Sequence, residues 1–304
     1  MPVTKSQRRR ASTLVEVIMG IAVATIVVLL AVSHITRHQR AVESLAAIAD
    51  LRGRLRDASD LLTADLRGSS PVGDSILVAL DTAIEFYSTI GTSTLCAGAG
   101  SRLTVPSDSL ASGRLLSAWV ALPESGDDAL VLADAAPSGS QRWERAKVVA
   151  FSRIATMVGC PVSSGLLSPA DVAGTRDAYE ATLASAVPAT VHRGSPVRFA
   201  RRVRYSVYRG GDGKWYLGYR RCATACAAIQ PVSGPYESRT GPPVGFRYFV
   251  ASGARLTGSG PTNNVVRIEI VSRASYLRPL AIPGIVGART GDSAVVAVAL
   301  RNRR

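Results

Sequence analysis

The most informative part of this chain is RRRASTLVEVIMGIAVATIVVLLAVSHI, residues 8–35. A basic cluster, Arg8–Arg10, runs directly into an apolar segment that carries one acidic residue, Glu16, near its start. A charged side chain at the centre of a bilayer costs roughly 2.5–3.5 kcal/mol on insertion scales. A carboxylate in this segment therefore needs a partner, and the nature of that partner bears directly on function.

The apolar segment is long enough to cross a membrane. Thr13–Ser33 contains 21 residues with a single charge, which corresponds to about 30 Å of helix. Lys5 and Arg8–Arg10 precede it, and such residues favour the cytoplasmic side. Arg37 and Arg40 follow it and weaken this bias slightly. The sequence therefore predicts a single pass, with the N-terminus in the cytoplasm and most of the chain outside.

Apolar residues continue at helical spacing beyond this segment, with charged residues between them. This pattern indicates an amphipathic helix. The apolar stripe consists of Val42, Leu45, Ile48, Leu51, Leu55, Ala58, Leu62 and Leu66. Because no proline occurs between Pro2 and Pro71, we predict one helix from about Thr13 to Arg67, roughly 80 Å long. Its second half should pack its stripe on the rest of the chain, although a coiled coil is the alternative.

After Pro71 the sequence indicates short strands separated by Gly, Pro and Ser turns. The predicted strands are 76–80, 83–87, 115–122, 129–132, 147–154, 245–250, 265–272 and 294–301. Residues 203–221 alternate on both sides of Gly210–Gly213, which predicts a hairpin. Ser168 and Pro169 predict a short helix through about Ala186. The fold class is α+β, with the long N-terminal helix packed on a β-rich, mostly antiparallel domain.

Four cysteines, Cys96, Cys160, Cys222 and Cys226, lie in the part predicted to be outside the cytoplasm, where thiols can oxidise. Four cysteines allow three pairings, and the sequence alone does not choose among them. We favour a local Cys222–Cys226 bond and a longer Cys96–Cys160 bond. A CxxxC spacing without a neighbouring histidine or second cysteine pair is a poor zinc site, so we predict no metal.

The net charge of +14 is spread over short clusters rather than one basic run. Only 6% of the residues are aromatic, and no basic stripe interleaved with aromatic residues is evident. Nucleic acid therefore stays open as a partner without support from the sequence. The sequence contains no GxSxG, HExxH, phosphate-loop or dinucleotide motif. Asp127 and Asp128 are interpreted as a solvated loop pair and His192 as a lone loop residue, so we expect no enzyme and no cofactor.

The N-terminal residues resemble the leader segment of type IV pilins and type II secretion pseudopilins. The match rests on a short basic leader, a small residue, and then Thr13, Leu14, Val15 and Glu16 before the apolar run. It covers about 25 residues. IEFYS (84–88), VRYSVYR (203–209) and VALRNRR (298–304) resemble J-type minor pseudopilins and W-type minor pilins more weakly.

The resemblance implies that a prepilin peptidase cuts between Ala11 and Ser12 and that Ser12 is N-methylated. The family has Gly and Phe at these two positions, and Ala and Ser depart from that pattern. Cleavage would remove four basic residues, lowering the net charge from +14 to +10. In the family's filaments the glutamate, here Glu16, faces the N-terminal ammonium of a neighbouring subunit, which sets the register between subunits.

The expected organisation is a leader at 1–11, a transmembrane and filament-core helix at 12–35, an amphipathic continuation at 36–67 and an extracytoplasmic domain at 68–304. The implied partners are other pilin or pseudopilin subunits, the prepilin peptidase, the inner membrane and an assembly platform. The filament could be a periplasmic pseudopilus or a cell-surface pilus. The alternatives are a DNA-uptake pilin with a basic β domain, a cleaved secretory signal, and a signal-anchored enzyme or binding protein.

Overall fold

The computed structural model describes residues 14–69, 76–135, 140–155, 160, 162–173, 177–238, 241–256, 262–281 and 288–300. These residues fall into two compact units. The first contains the described residues up to Arg52 together with those of Tyr276–Gly291. The second contains the described residues of Gly53–Ser275 and of Asp292–Arg304. The fold class is α+β, as the sequence predicts.

A single helix, α1, runs from Leu14 to Arg67 over 54 residues. It ends at Arg67, where the sequence predicts. The amide of Gly68 still donates to the Ala64 carbonyl (3.1 Å), and the chain then turns away. The Gly68 carbonyl then accepts a hydrogen bond from the Thr89 amide at 3.0 Å. The end of α1 is thus fixed directly to a strand of the sheet.

Fifteen strands are present in the described part of the chain. They are β1 Ile76–Leu80, β2 Ala83–Thr94, β3 Ala97–Ala99, β4 Arg102–Val105, β5 Ala118–Trp119, β6 Asp128–Ala135, β7 Ser140–Ala155, β8 Asp177–Leu183, β9 Pro196–Arg209, β10 Trp215–Arg221, β11 Gln230–Tyr236, β12 Val244–Val250, β13 Arg255–Leu256, β14 Val265–Ala281 and β15 Ala288–Ala299. A short helix, α2, spans Pro169–Ala173, and 3₁₀ turns occur at Val162–Ser164 and Thr262–Asn264.

The strands form two sheets. The larger has 11 strands, with β1, β2, β9, β6, β7, β8, β4 and β3 in that spatial order, and the smaller has the order β13, β12, β14, β15. The pairs with a described register are antiparallel. Strand β9 is central because it pairs with β2 along one edge, while its other edge pairs with β6 near Phe199 and with β10 near Tyr205.

The predicted hairpin over residues 203–221 is confirmed. Tyr205 pairs with Tyr219 and Arg209 with Trp215 across β9 and β10. In the turn, the Gly210 amide donates to the Lys214 carbonyl at 2.8 Å. Gly213 has φ of 76°, a conformation that glycine adopts without steric cost.

The predicted helix from Ser168 to Ala186 is wrong over most of its length. Among the described residues of this range, only Pro169–Ala173 is helical, and Asp177–Leu183 is strand β8. Tyr179, Ala181 and Leu183 are buried while β8 pairs with both β4 and β7. Pairing with two distant strands therefore outweighs the local helix signal.

The predicted strand at 115–122 is reduced to Ala118–Trp119, which pairs with Gly91 and Thr92 of β2. Leu115 and Val120 on either side are highly exposed, at 77% and 87%. A Cβ on Gly91 would lie 2.2 Å from the Trp119 ring. The missing side chain at Gly91 therefore makes room for Trp119, which belongs to the apolar core around Phe199.

Candidate assembly site

The first part of α1 presents apolar side chains on every side. Each large apolar side chain from Leu14 to Ile35 is exposed, with exposed fractions between 48% and 77%. The helix is long and apolar enough to span a membrane, and none of its most apolar window is buried inside the protein. In a soluble protein a helix that is apolar all round is buried in a core, so this segment suits a membrane or a bundle of like helices.

Glu16 lies in the first turn of α1, and its side chain is exposed. The carboxylate is therefore at the positive end of the helix dipole, where negative charge is favoured. It is the only charged residue between Leu14 and Ile35 when the histidine is neutral. Ala11 and Ser12, the predicted cleavage and methylation positions, lie outside the described residues.

The last part of α1 has a different surface. Its buried residues repeat at three- and four-residue intervals, which places them on one side of the helix. They are Leu55, Ala58, Ser59, Leu62, Thr63 and Leu66. Upstream, Ile48 and Leu51 are also buried, whereas Val42 and Leu45, which the sequence places in the same stripe, are 52% and 59% exposed.

Polar contacts fix this buried side of α1 to the large sheet. The Arg54 carbonyl accepts a hydrogen bond from the Tyr236 hydroxyl at 3.2 Å, and Arg54 Nη1 donates to the Pro235 carbonyl at 3.0 Å. In the last turn of the helix, the Tyr205 hydroxyl donates to the Asp65 carboxylate at 2.5 Å. Burial raises the pKa of the Asp65 carboxyl, although the hydrogen bond from Tyr205 opposes this shift. Burial also raises the pKa of the Tyr205 phenol, and the neighbouring Asp65 adds to the effect.

The four cysteines form the two disulfides favoured from the sequence. Cys96 is bonded to Cys160, 64 residues away, and Cys222 to Cys226. The first bond is fully buried in a small core with Leu110, Leu167 and Ala178. It therefore attaches the segment after β7 to the loop that follows β2. The second bond closes a turn after β10, where Cys222 is buried and Cys226 is exposed.

Asp127 and Asp128 are not the solvated pair that we expected. Their side chains are 2% and 1% exposed. Arg201 binds Asp127 through two nitrogens, with Nη2 at 2.8 Å from Oδ2 and Nε at 3.1 Å from Oδ1, and Arg221 Nη2 lies 3.4 Å from Oδ1. Lys147 Nζ lies 3.0 Å from Asp128. Each buried carboxylate has a cationic neighbour, as burial of charge requires.

Two further groups contain side chains of the types that bind metals. Within the described ranges, Glu85, Cys222 and Cys226 bring ligand atoms within 4.8 Å of one another. The two sulfurs are joined in a disulfide and Arg202 Nη2 lies 2.5 Å from the Glu85 carboxylate, so this group is not arranged to bind a metal. His192 Nε2 lies 3.6 Å from Asp134, and both side chains are exposed.

Comparison with family models gives no match for this chain. Searches of curated proteins and of solved structures also give no match.

Proposed function

We propose that the chain is a minor pilin or pseudopilin, a structural subunit that enters a type IV pilus-like filament through its N-terminal helix. The observation that carries the proposal is the exposed apolar surface of α1 around a single acidic residue, Glu16. That segment follows a short basic leader that resembles those of prepilins, with Thr13–Glu16 matching the family and Ala11 and Ser12 departing from it. No chemical reaction is assigned to the chain, because assembly itself is the function.

The proposed assembly begins in the membrane. The basic leader holds the N-terminus in the cytoplasm, and α1 spans the inner membrane with the β domain outside. This orientation places all four cysteines in an oxidising compartment, consistent with two disulfides. The prepilin peptidase then cuts between Ala11 and Ser12 and leaves a new ammonium group on Ser12.

Cohesion and register come from different parts of the helix. The apolar side chains of residues 14–35 pack against those of neighbouring subunits and remain out of water. The Glu16 carboxylate of one subunit meets the Ser12 ammonium of the next, so that two charges satisfy each other inside an apolar bundle. A pair of this kind determines axial position more than it adds stability.

A signal anchor without any assembly role is the main competing interpretation. It shares the membrane helix and the orientation but requires neither cleavage after Ala11 nor a special role for Glu16. A cleaved secretory signal would instead be cut near Ser33 and would remove Glu16 altogether. The position of the mature N-terminus therefore separates these three interpretations.

The first test is co-expression with a prepilin peptidase, followed by mass spectrometry of the membrane-extracted protein. We expect the mass of a chain that starts at Ser12, with or without one methyl group. Substitution of Ala11 by a bulky residue, Ala11→Leu, should block this cut because the family has a small residue before the bond. An intact chain in the presence of active peptidase, or a start beyond the apolar segment, contradicts the proposal.

The second test is incorporation of Glu16→Gln into filaments in an assembly-competent host. The variant should insert and be processed normally, but the neighbour's ammonium would be buried without a counter-charge. Breaking one side of a buried pair costs about 3–5 kcal/mol, which would lower incorporation roughly 100-fold or more. Glu43→Gln is the matched control because Glu43 is exposed on the same helix outside the apolar segment. Equal incorporation of both variants contradicts the proposed role of Glu16.

A further inference from the structure

Side chains alternate between the two faces of β9, and this alternation separates two sets of residues. Tyr205 points to the face that contacts α1 through Asp65. Arg202 and Arg204 therefore point to the opposite face of the sheet, where they meet Glu85 of β2. The same face continues across β6 and β7.

On this opposite face, cations lie over aromatic rings. The Arg145 guanidinium is 4.5 Å and Lys147 Nζ 5.7 Å from the centre of the Tyr87 ring. The Arg198 guanidinium is 4.7 Å from the Trp143 ring. We name the group formed by Tyr87, Trp143, Arg145, Lys147, Arg198 and Arg202 the cationic face.

The strand order explains how these residues meet. Tyr87 lies on β2 and Arg145 on β7, with β9 and β6 between them. The residues between them, Ala200 and Leu130, are buried and pack with Tyr87 and Trp143 in one apolar cluster. This apolar cluster is buried, and the longer cationic side chains cover it. The sequence shows no such stripe because its members come from three separate strands.

Positive charges outnumber negative charges on the solvent-facing side of this surface. The acidic residues beside it, Glu85 and Asp128, are almost fully buried. Arg202 and Arg204 lie close to Glu85, and Lys147 lies close to Asp128. The cationic face and Arg204 thus carry five positive charges against two buried negative ones. Like charges on neighbouring strands repel, and an anionic ligand would relieve that repulsion.

We propose that the cationic face binds the phosphodiester backbone of nucleic acid without preference for base sequence. Arg145 and Lys147 are exposed, so their N–H groups can reach phosphate oxygens, and charge-assisted contacts of this kind are strong. The guanidinium planes of Arg145 and Arg198 also offer surfaces on which a base can stack.

The apolar residues of this region favour nucleic acid over a lipid surface. Binding at a membrane interface uses apolar side chains that enter the headgroup region. Leu130 and Ala200 are 0% and 1% exposed, and they lie beneath the cations rather than beside them. The inference does not depend on the assembly proposal, because it uses only residues of the large sheet.

The test is a binding titration of the full-length protein in non-ionic detergent with fluorescent poly(dT), repeated between about 50 and 200 mM salt. We expect log K to fall linearly with log[salt]. The variant Arg145→Gln should bind more weakly and reduce the slope by about 0.7, the value for one cation that contacts single-stranded phosphate. The unfolding midpoint in urea, measured in parallel, checks that both proteins remain folded.

Arg142→Gln is the matched control. Arg142 lies on the same strand, β7, with its side chain 73% exposed, and its position is offset by an odd number of residues from Arg145 and Lys147. It should leave affinity and slope almost unchanged. Equal losses for Arg142→Gln and Arg145→Gln, each of which removes one positive charge, overturn the proposal, because they would indicate only a general charge effect. Binding that is independent of salt, or binding to phosphatidylglycerol vesicles but not to poly(dT), overturns it as well.

Discussion

The two ends of α1 share one secondary structure but have opposite surfaces. Residues 14–35 are apolar on all sides and exposed, whereas residues 53–67 bury only one side, centred on Leu55, Leu62 and Leu66. The distribution of charge makes the difference. Only Glu16 interrupts the first region, while charged residues occupy the exposed positions of the second. One helix therefore contains two regions with different surfaces, and the same kind of substitution should have a different effect in each region.

The largest contrast is expected from truncating one leucine in the buried region. Leu62→Ala removes a side chain that is 0% exposed, and such changes cost about 2–5 kcal/mol of unfolding free energy. Ile26→Ala, in the exposed region, should leave the unfolding of the β domain unchanged. Urea unfolding of the full-length protein in detergent, followed by tryptophan fluorescence, measures both, since Trp119, Trp143 and Trp215 all follow α1 in the chain.

Leu61→Ala is the control for helix propensity because Leu61 is the neighbouring residue and is 37% exposed. It should cost much less than Leu62→Ala. If Ile26→Ala destabilised the domain as much as Leu62→Ala, the two ends of α1 would not be energetically separate.

The helix and the hairpin could be predicted from sequence because their signals are local. The apolar stripe and the Gly68 stop define the end of α1, and the alternation about Gly210–Gly213 defines the turn of the hairpin. Local patterns do not predict strand β8, because its alternation of Tyr179, Ala181 and Leu183 is short and follows the helix-start residues Ser168 and Pro169. Strand β11 contains two prolines, Pro231 and Pro235. Because proline is rare in strand interiors, the sequence does not predict this strand.

The charged sites depended on pairings that no local pattern reports. Asp127 is buried because Arg201 binds it from 74 residues away. The cationic face contains residues of β2, β7 and β9. The strand order brings these residues together, and no local sequence pattern reports that order. By contrast, the two disulfides followed from a preference for one local and one long bond, since the chain has only four cysteines.

A smaller effect is expected at Asp65, where the buried region of α1 contains an acid. Because the pKa of this carboxyl is raised in the folded protein, the folded state binds the proton more tightly than the unfolded state. Stability from this group is therefore greatest below its ordinary pKa and falls as pH rises through the raised value. Asp65→Asn keeps an acceptor for the Tyr205 hydroxyl and removes the charge.

We expect Asp65→Asn to be at least as stable as the parent near neutral pH and to lose this part of the pH dependence. Urea midpoints of parent and variant measured across the acid range test it. Asp60→Asn, at an exposed position of the same helix, should not change the pH profile. A variant clearly less stable than the parent at neutral pH would show that the ionised Asp65 is a net stabiliser.

The smallest effect compares the two glycines inside α1. A Cβ added at Gly20 or at Gly53 would have no neighbouring atom within 4 Å, so alanine fits at each without a clash. Gly53→Ala should raise the unfolding free energy of the domain by about 0.5–1 kcal/mol, because alanine loses less backbone entropy in a helix. Gly20→Ala has the same local advantage but lies in the exposed apolar region, so the urea midpoint of the domain should not move. An equal rise in the urea midpoint for Gly20→Ala would mean that a more stable helix near Gly20 also stabilises the β domain. The two regions of α1 would then unfold as one unit.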